Sequence, residues 1–186
     1  YDIREEKFYV IGKYKAKTVT SSNGDIWTGY DGMICRYDEK GDSLLLYTEE
    51  DIPDISSLLV SGNKIWVGTY EGLYVIEKGE KARCLVDGPE FYRLFESSSG
   101  EVWAGCRTGG LYRIMPDEKV VWYSDSKAEP YHIESNQIRS FAEDRFGNIW
   151  FGTFLGLHKY NPYTDKFTVY RQDHLPGSLS HSSVFS

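Results

Sequence analysis

The sequence predicts an all-β protein assembled from repeated four-stranded antiparallel sheets, and three observations predict it. A six-residue element recurs four times, as Gly24-Asp25-Ile26-Trp27-Thr28-Gly29, Asn63-Lys64-Ile65-Trp66-Val67-Gly68, Gly100-Glu101-Val102-Trp103-Ala104-Gly105 and Gly147-Asn148-Ile149-Trp150-Phe151-Gly152. Each copy is followed by a second shared element: Met33 to Tyr37, Gly72 to Ile76, Gly110 to Ile114 and Gly156 to Tyr160. The composition joins 16% aromatic residues to 18 glycines, which suits half-buried pleated surfaces linked by tight turns. The tryptophans fall 39, 37 and 47 residues apart, a spacing typical of propeller blades. No stretch of ten residues or more has helical periodicity.

Each copy divides into four strands. Strand A is expected at 16–20, 55–60, 91–96 and 138–143, and a glycine-bearing turn such as Ser22-Asn23-Gly24 leads out of it, where a positive φ suits a hairpin. Strand B carries the Ile-Trp-x-Gly element and strand C the Gly-Leu-x-x-Tyr element. Strand D is expected at 43–48, 81–86, 119–124 and 166–171. Adjacent Ile and Trp break the alternation of a sheet buried on one face only. A blade covered on both faces by its neighbours removes the conflict, so Ile65, Trp66 and Val67 point to sheets stacked face against face. Trp27, Trp66, Trp103 and Trp150 are therefore structural, each worth several kcal/mol, on the order of 200 Å² of buried surface. Trp122 lies outside the register and stays unassigned.

The phase of the repeat bounds the organisation. Complete blades are expected at about 14–50, 51–88, 89–130 and 131–175. Tyr1 to Phe8 aligns with Tyr160 to Phe167, so 1–13 reads as a partial blade, and 176–186 reads as the start of a further one. The 186 residues are expected to be a fragment of a larger propeller, whose open terminal blades could support self-association.

Charge and composition exclude several classes. Twenty-eight acidic residues against 21 basic ones give a net charge of −7, which disfavours nucleic acid as a partner. No apolar run reaches the roughly 20 residues of a membrane span. Cys35, Cys84 and Cys106 are odd in number and lack metal-ligand spacing, so all three are expected to be buried or half-buried thiols. His174 and His181 form no metal motif, and His158 on strand C is expected to be a structural or solvated side chain at a blade edge. No metal and no cofactor is implied.

Asp144-Arg145-Phe146-Gly147-Asn148-Ile149-Trp150-Phe151-Gly152-Thr153, then Gly156-Leu157, Tyr160-Asn161-Pro162 and Phe167 to Tyr170, resemble the two-component regulator propeller repeat. Asp173 to His181 resembles the linker that precedes the next copy in that family. The first copy departs by Met33 in place of Gly, and the third by Gly109-Gly110 and Cys106. The resemblance implies the periplasmic sensor region of a hybrid two-component system: a propeller on the extracytoplasmic side of a membrane-anchored parent, with a histidine kinase elsewhere in the chain. It also implies glycan-derived oligosaccharides as ligands.

Catalysis finds no support in the motifs. Sialidase-type Asp boxes place an Asp two residues before the turn glycine, where this sequence has Ser22, Ser98 and Arg145. No catalytic residue is assigned. A ligand is expected at the loops joining strands B and C, which carry Tyr30, Tyr70, Arg107 and Phe154, and at the long connection around Ser124 to Asn136, which carries Tyr131 and His132. Aromatic faces stack on sugar rings, and an Arg pairs with carboxylate or sulfate. Two functions remain open: a sensor that binds an oligosaccharide and regulates a kinase, and an interaction scaffold without a small ligand. A glycosidase or lyase ranks below both.

Overall fold

The computed structural model describes residues 15–38, 40, 43–47, 52–77, 80–173, 175–176 and 178–185. Among these, sixteen strands form four sheets and there is no helix. The first sheet holds β1 (Thr18–Ser22), β2 (Asp25–Tyr30), β3 (Met33–Tyr37) and β4 (Ser43–Tyr47). The second holds β5 (Ile55–Ser61), β6 (Lys64–Thr69), β7 (Gly72–Glu77) and β8 (Arg83–Asp87). The third holds β9 (Phe91–Glu96), β10 (Val102–Cys106), β11 (Leu111–Ile114) and β12 (Val120–Tyr123), and the fourth β13 (Ile138–Glu143), β14 (Ile149–Thr153), β15 (Gly156–Asn161) and β16 (Lys166–Tyr170). Every sheet runs in chain order, with each neighbour antiparallel. This is the architecture of propeller blades, as the repeat predicts, with strand ends shifted by at most two residues. The expected partial blade at 1–13 lies outside the described residues, as does His174.

The turn after β1 shows why its residues recur. Asn23 and Gly24 have φ of 53° and 85°, the left-handed pair that a two-residue hairpin needs to match strand twist.

Adjacent Ile and Trp separate to opposite faces. Trp66 packs into a core with Phe91, Val102, Ala104, Tyr112 and Ile114 of the third sheet. Ile65 and Val67 pack the other way, with Ile34 of the first sheet and Ile55, Leu58 and Ile76 of their own. Trp103 repeats the arrangement against Ile138, Ile149, Phe151 and Tyr160 of the fourth sheet. The cores thus lie between sheets, and each tryptophan reaches forward to the following blade. Trp150 has no described sheet ahead of it and is half-buried; it stacks on Tyr170 at 5.5 Å and donates from Nε1 to Asp144 at 2.9 Å. Trp122 is an outer-strand residue, stacked on Tyr112 at 6.0 Å and donating to the Gly109 carbonyl at 2.8 Å.

The glycine that closes each Ile-Trp-x-Gly element has a shared steric reason. A Cβ at Gly29 would meet Ile55 Cγ2 at 2.8 Å, one at Gly68 the Phe91 carbonyl at 2.2 Å, one at Gly105 Ile138 Cβ at 2.7 Å, and one at Gly152 the Val184 carbonyl at 2.5 Å. In the first three cases the neighbour is the first residue of the next inner strand. Val184 holds the corresponding place after the fourth sheet, and its N–H donates to the Thr153 carbonyl at 2.9 Å.

Two expectations need correction. His158 is not at a blade edge: it is fully buried, and its ring stacks on Phe151 at 4.9 Å. Strand C runs through the middle of each sheet, so this position faces a neighbouring layer; Tyr74 and Tyr112 occupy it in the second and third blades. Cys84 is exposed rather than half-buried, whereas Cys35 and Cys106 are buried.

Burial lowers the His158 pKa to about 4; the nearby Gly156 backbone opposes the shift without cancelling it. Neither ring nitrogen makes a hydrogen bond. The unfolded chain takes up this proton near pH 6.5 and the folded chain only near 4. Stability is therefore full above pH 6.5 and declines as pH falls, with the loss complete below about 4. The difference amounts to roughly 3 kcal/mol. Thermal melts between pH 7 and 4 should show that decline and show it reduced in His158→Phe, a ring that the Tyr74 and Tyr112 positions already accommodate.

Candidate functional site

Because consecutive strands are antiparallel, the end of each strand B meets the start of strand A at one end of the array. Backbone hydrogen bonds mark that end: Lys17 N–H to the Gly29 carbonyl at 2.9 Å, Tyr70 N–H to Asp54 at 3.3 Å and Arg107 N–H to Glu90 at 3.2 Å. The inner strands of the second, third and fourth sheets share a distortion there. The register shifts between Ile55 and Ser57, between Gly105 and Cys106 opposite Phe91 and Arg93, and between Ile138 and Ser140. Ser56, Tyr92 and Arg139 are the residues left over, and a bulge re-aims its side chain away from the ladder. Phe185 follows Val184 as each of these follows the first residue of its strand.

Two clusters result. In the first, Lys17 Nζ lies 5.4 Å from the ring centres of both Tyr30 and Tyr70. It also pairs with Asp54 at 2.5 Å and Asp31 at 3.5 Å. The hydrogen bond to Asp54 raises the Lys17 pKa, and Asp31 raises that of Tyr30. This cluster presents two aromatic rings around a cation that is already neutralised.

The second cluster is different in charge. Tyr92 is 8% exposed and its hydroxyl has no hydrogen-bond partner. Three guanidinium groups surround its ring, Arg93 at 5.0 Å, Arg139 at 5.6 Å and Arg107 at 5.8 Å. Burial raises the Tyr92 pKa against the pull of Arg139, Arg93 and Arg107. Arg139 also lies 4.2 Å over the Phe154 ring and 5.9 Å from Phe185. Phe154 meets Phe185 edge-on at 5.4 Å. Beside Phe154 a cavity of about 350 Å³ is lined by Thr108, Asp125, Glu134, Asn136 and Leu155, among others.

Four of the six sequence-predicted residues thus fall into these clusters: Tyr30 with Tyr70, and Arg107 with Phe154 through Tyr92 and Arg139. Tyr131 and His132 do not join them. Tyr131 tilts against Tyr123 at 6.2 Å, and His132 Nδ1 lies 3.0 Å from the Lys127 carbonyl. The long connection is pinned internally, with Asn136 Nδ2 donating to Asp125 at 2.7 Å. Tyr92, Arg93 and Arg139 were missed by the sequence reading because strand-A residues look like ladder residues until the bulge is seen. Two consecutive bulge-position residues that are large and polar, Tyr92 and Arg139, were the available signal.

A larger cavity, about 570 Å³, lies between the first two sheets at the opposite end, beside Asn23, Trp27, Arg36 and Lys64. Its cations are neutralised, Arg36 by Asp25 at 2.8 Å and Lys64 by Glu118 at 2.7 Å, and no predicted residue reaches it.

Comparison with known proteins agrees with this architecture. Residues 132–154 match the family model described as two component regulator propeller. The chain is 27% identical over 126 residues to Histidine kinase P4 of Formosa agariphila, across 60% of this chain and 9% of that protein. It therefore spans a small part of that relative. The extracellular domain of BT4673, a one component system of B. thetaiotaomicron, superposes with a TM-score of 0.73 at 22% identity, covering 97% of this chain and 25% of that one. The extracellular domain of the hybrid two component system BT3049 from the same organism gives 0.61 at 23% identity, covering 90% and 25%. Virginiamycin B lyase from Staphylococcus aureus gives 0.63 at 16% identity, covering 84% and 55%, a likeness of fold. Residues 132–154 thus resemble the two component regulator propeller repeat, within a chain of four sheets that each carry one tryptophan on the second strand.

Proposed function

We propose that the chain is part of the extracytoplasmic sensor region of a two-component signalling protein, and that it binds a glycan-derived oligosaccharide at the end of the array where strands A and B meet. The parent protein then regulates a histidine kinase, while this segment is non-catalytic. The observation that carries the reading is the convergence of Tyr30, Tyr70, Arg107 and Phe154 at one end, an aromatic and cationic surface suited to sugar rings. The propeller repeat and the kinase relative support the signalling context. Remaining blades of the parent would complete the ring.

Calorimetry with neutral and acidic oligosaccharides tests it. Tyr70→Ala and Arg107→Ala should each weaken binding by about tenfold, the effect of losing one stacking or charge-assisted contact. Tyr131→Ala should have a smaller effect, since Tyr131 lies apart from both clusters. Unchanged affinity in Tyr70→Ala and Arg107→Ala would refute the site, and a protein that captures a protein partner but no saccharide would favour the scaffold reading.

A further inference from the structure

The chain carries a net charge of −7, yet three arginines gather around one buried tyrosine ring. That gathering is costly unless something offsets it, because like charges repel and the half-buried Arg139 is also partly stripped of water, while Arg93 and Arg107 are exposed. Arg107 has a carboxylate, Glu90 at 2.9 Å. Among the described residues, Arg93 and Arg139 have none. Arg93 donates only to backbone, from Nε to the Arg139 carbonyl at 2.9 Å and from Nη1 to the Tyr92 carbonyl at 2.8 Å. Arg139 is half-buried, and its Nε is sealed from solvent without a partner. The Tyr92 hydroxyl is likewise sealed and unpartnered.

Orphaned buried donors are rare in folded proteins, because each forfeits its hydration. Here two of them belong to adjoining residues, Tyr92 and Arg139, both delivered by inner-strand bulges, with a second guanidinium lacking a carboxylate, Arg93, beside them. Donors and positive charge together specify an anion. Planar carboxylates and tetrahedral sulfates both fit a set of guanidinium forks and a phenol.

From this we infer that Tyr92, Arg93 and Arg139 form an anion subsite that binds the carboxylate or sulfate of an acidic sugar residue, with Phe154 and Phe185 as the apolar wall for its ring. The inference rests on the saccharide reading above and narrows it to acidic glycans. Arg107 contributes field from the rim while Glu90 restrains it.

Calorimetry on the full-length protein at fixed ionic strength, with four probes, separates the outcomes: sodium sulfate, digalacturonate, a sulfated hexosamine disaccharide and lactose. Binding of either acidic disaccharide, weakened tenfold or more in Arg139→Gln as expected for loss of a charge-assisted contact, supports the subsite, and the preferred probe decides between carboxylate and sulfate. Tyr92→Phe guards against misfolding as the cause. Removing a hydroxyl with no partner should leave the melting temperature unchanged or raised while acidic-probe affinity falls. Lactose binding as tightly as the acidic probes, with Arg139→Gln without effect, overturns the subsite and leaves the oligosaccharide reading standing. Arg139-dependent binding of sulfate with no saccharide bound supports the subsite and overturns the oligosaccharide reading. No binding of any probe overturns both.

Discussion

Gly68→Ala should be among the most damaging single-methyl additions in the chain, lowering stability by about 3 kcal/mol. The added Cβ would stand 2.2 Å from the Phe91 carbonyl oxygen and 2.1 Å from Ser57 Oγ. Ser57 Oγ can rotate, although it would abandon its 2.8 Å hydrogen bond to that same carbonyl. Phe91 cannot yield in that way, because it opens β9 and is fully buried against Tyr112 at 5.0 Å. The third sheet must therefore move outward from the second, opening the core around Trp66. Gly62→Ala is the control: Gly62 has a φ of 57° and open space around it, so alanine there pays only backbone strain, about 1 kcal/mol. Urea unfolding should rank Gly68→Ala well below Gly62→Ala. Combining Ser57→Ala with Gly68→Ala should restore little, since the carbonyl remains. A Gly68→Ala protein as stable as Gly62→Ala would mean that the inner strands are not in such close contact.

That contact also shows where sequence reading succeeds and where it stops. Recurrence of Ile-Trp-x-Gly was enough to place sixteen strands and to require sheets covered on both faces, because burying both Ile65 and Trp66 leaves no other arrangement. The identity of each glycine's neighbour was not legible, since Gly68 meets Phe91 only once the blades are docked. The site divides along the same line. Loop residues Tyr30, Tyr70, Arg107 and Phe154 could be picked out by position within the repeat. Tyr92 and Arg139 could not, because a one-residue register shift at the start of an inner strand is set by contacts across blades. Asp144 was overlooked for a related reason. An Asp box places its carboxylate two residues before the turn glycine, whereas the one that clasps this turn, Asp144, stands three before Gly147. It accepts hydrogen bonds from Phe146 N–H at 2.9 Å and Asn148 N–H at 3.0 Å, as well as from Trp150. Partial desolvation raises the Asp144 pKa, but these donors outweigh it and hold the carboxyl well below the usual range.

Trp103→Ala should cost about 3–5 kcal/mol, the range for truncating a fully buried large aromatic. Trp103 has no exposed surface. Its ring packs 5.1 Å from Tyr160 and 6.4 Å from Tyr123, and Arg113 lies 5.5 Å over it. The cavity left behind would also weaken the packing that holds Arg113, which donates to Glu101 at 2.7 Å and to Tyr160 Oη at 2.6 Å. Trp103→Phe should cost much less, because it retains a ring and removes an indole N–H that has no partner. Thermal melts that place Trp103→Ala close to wild type would contradict the inter-blade core. The same seam joins Tyr92 of the third sheet to Arg139 of the fourth. Loosening it should therefore weaken acidic-sugar binding even though Trp103 itself takes no part in the cluster. Trp27→Ala, which relaxes the seam between the first two sheets, should lower stability and leave that affinity intact. If both variants reduced it equally, general loss of folded protein rather than the seam between blades three and four would account for the effect.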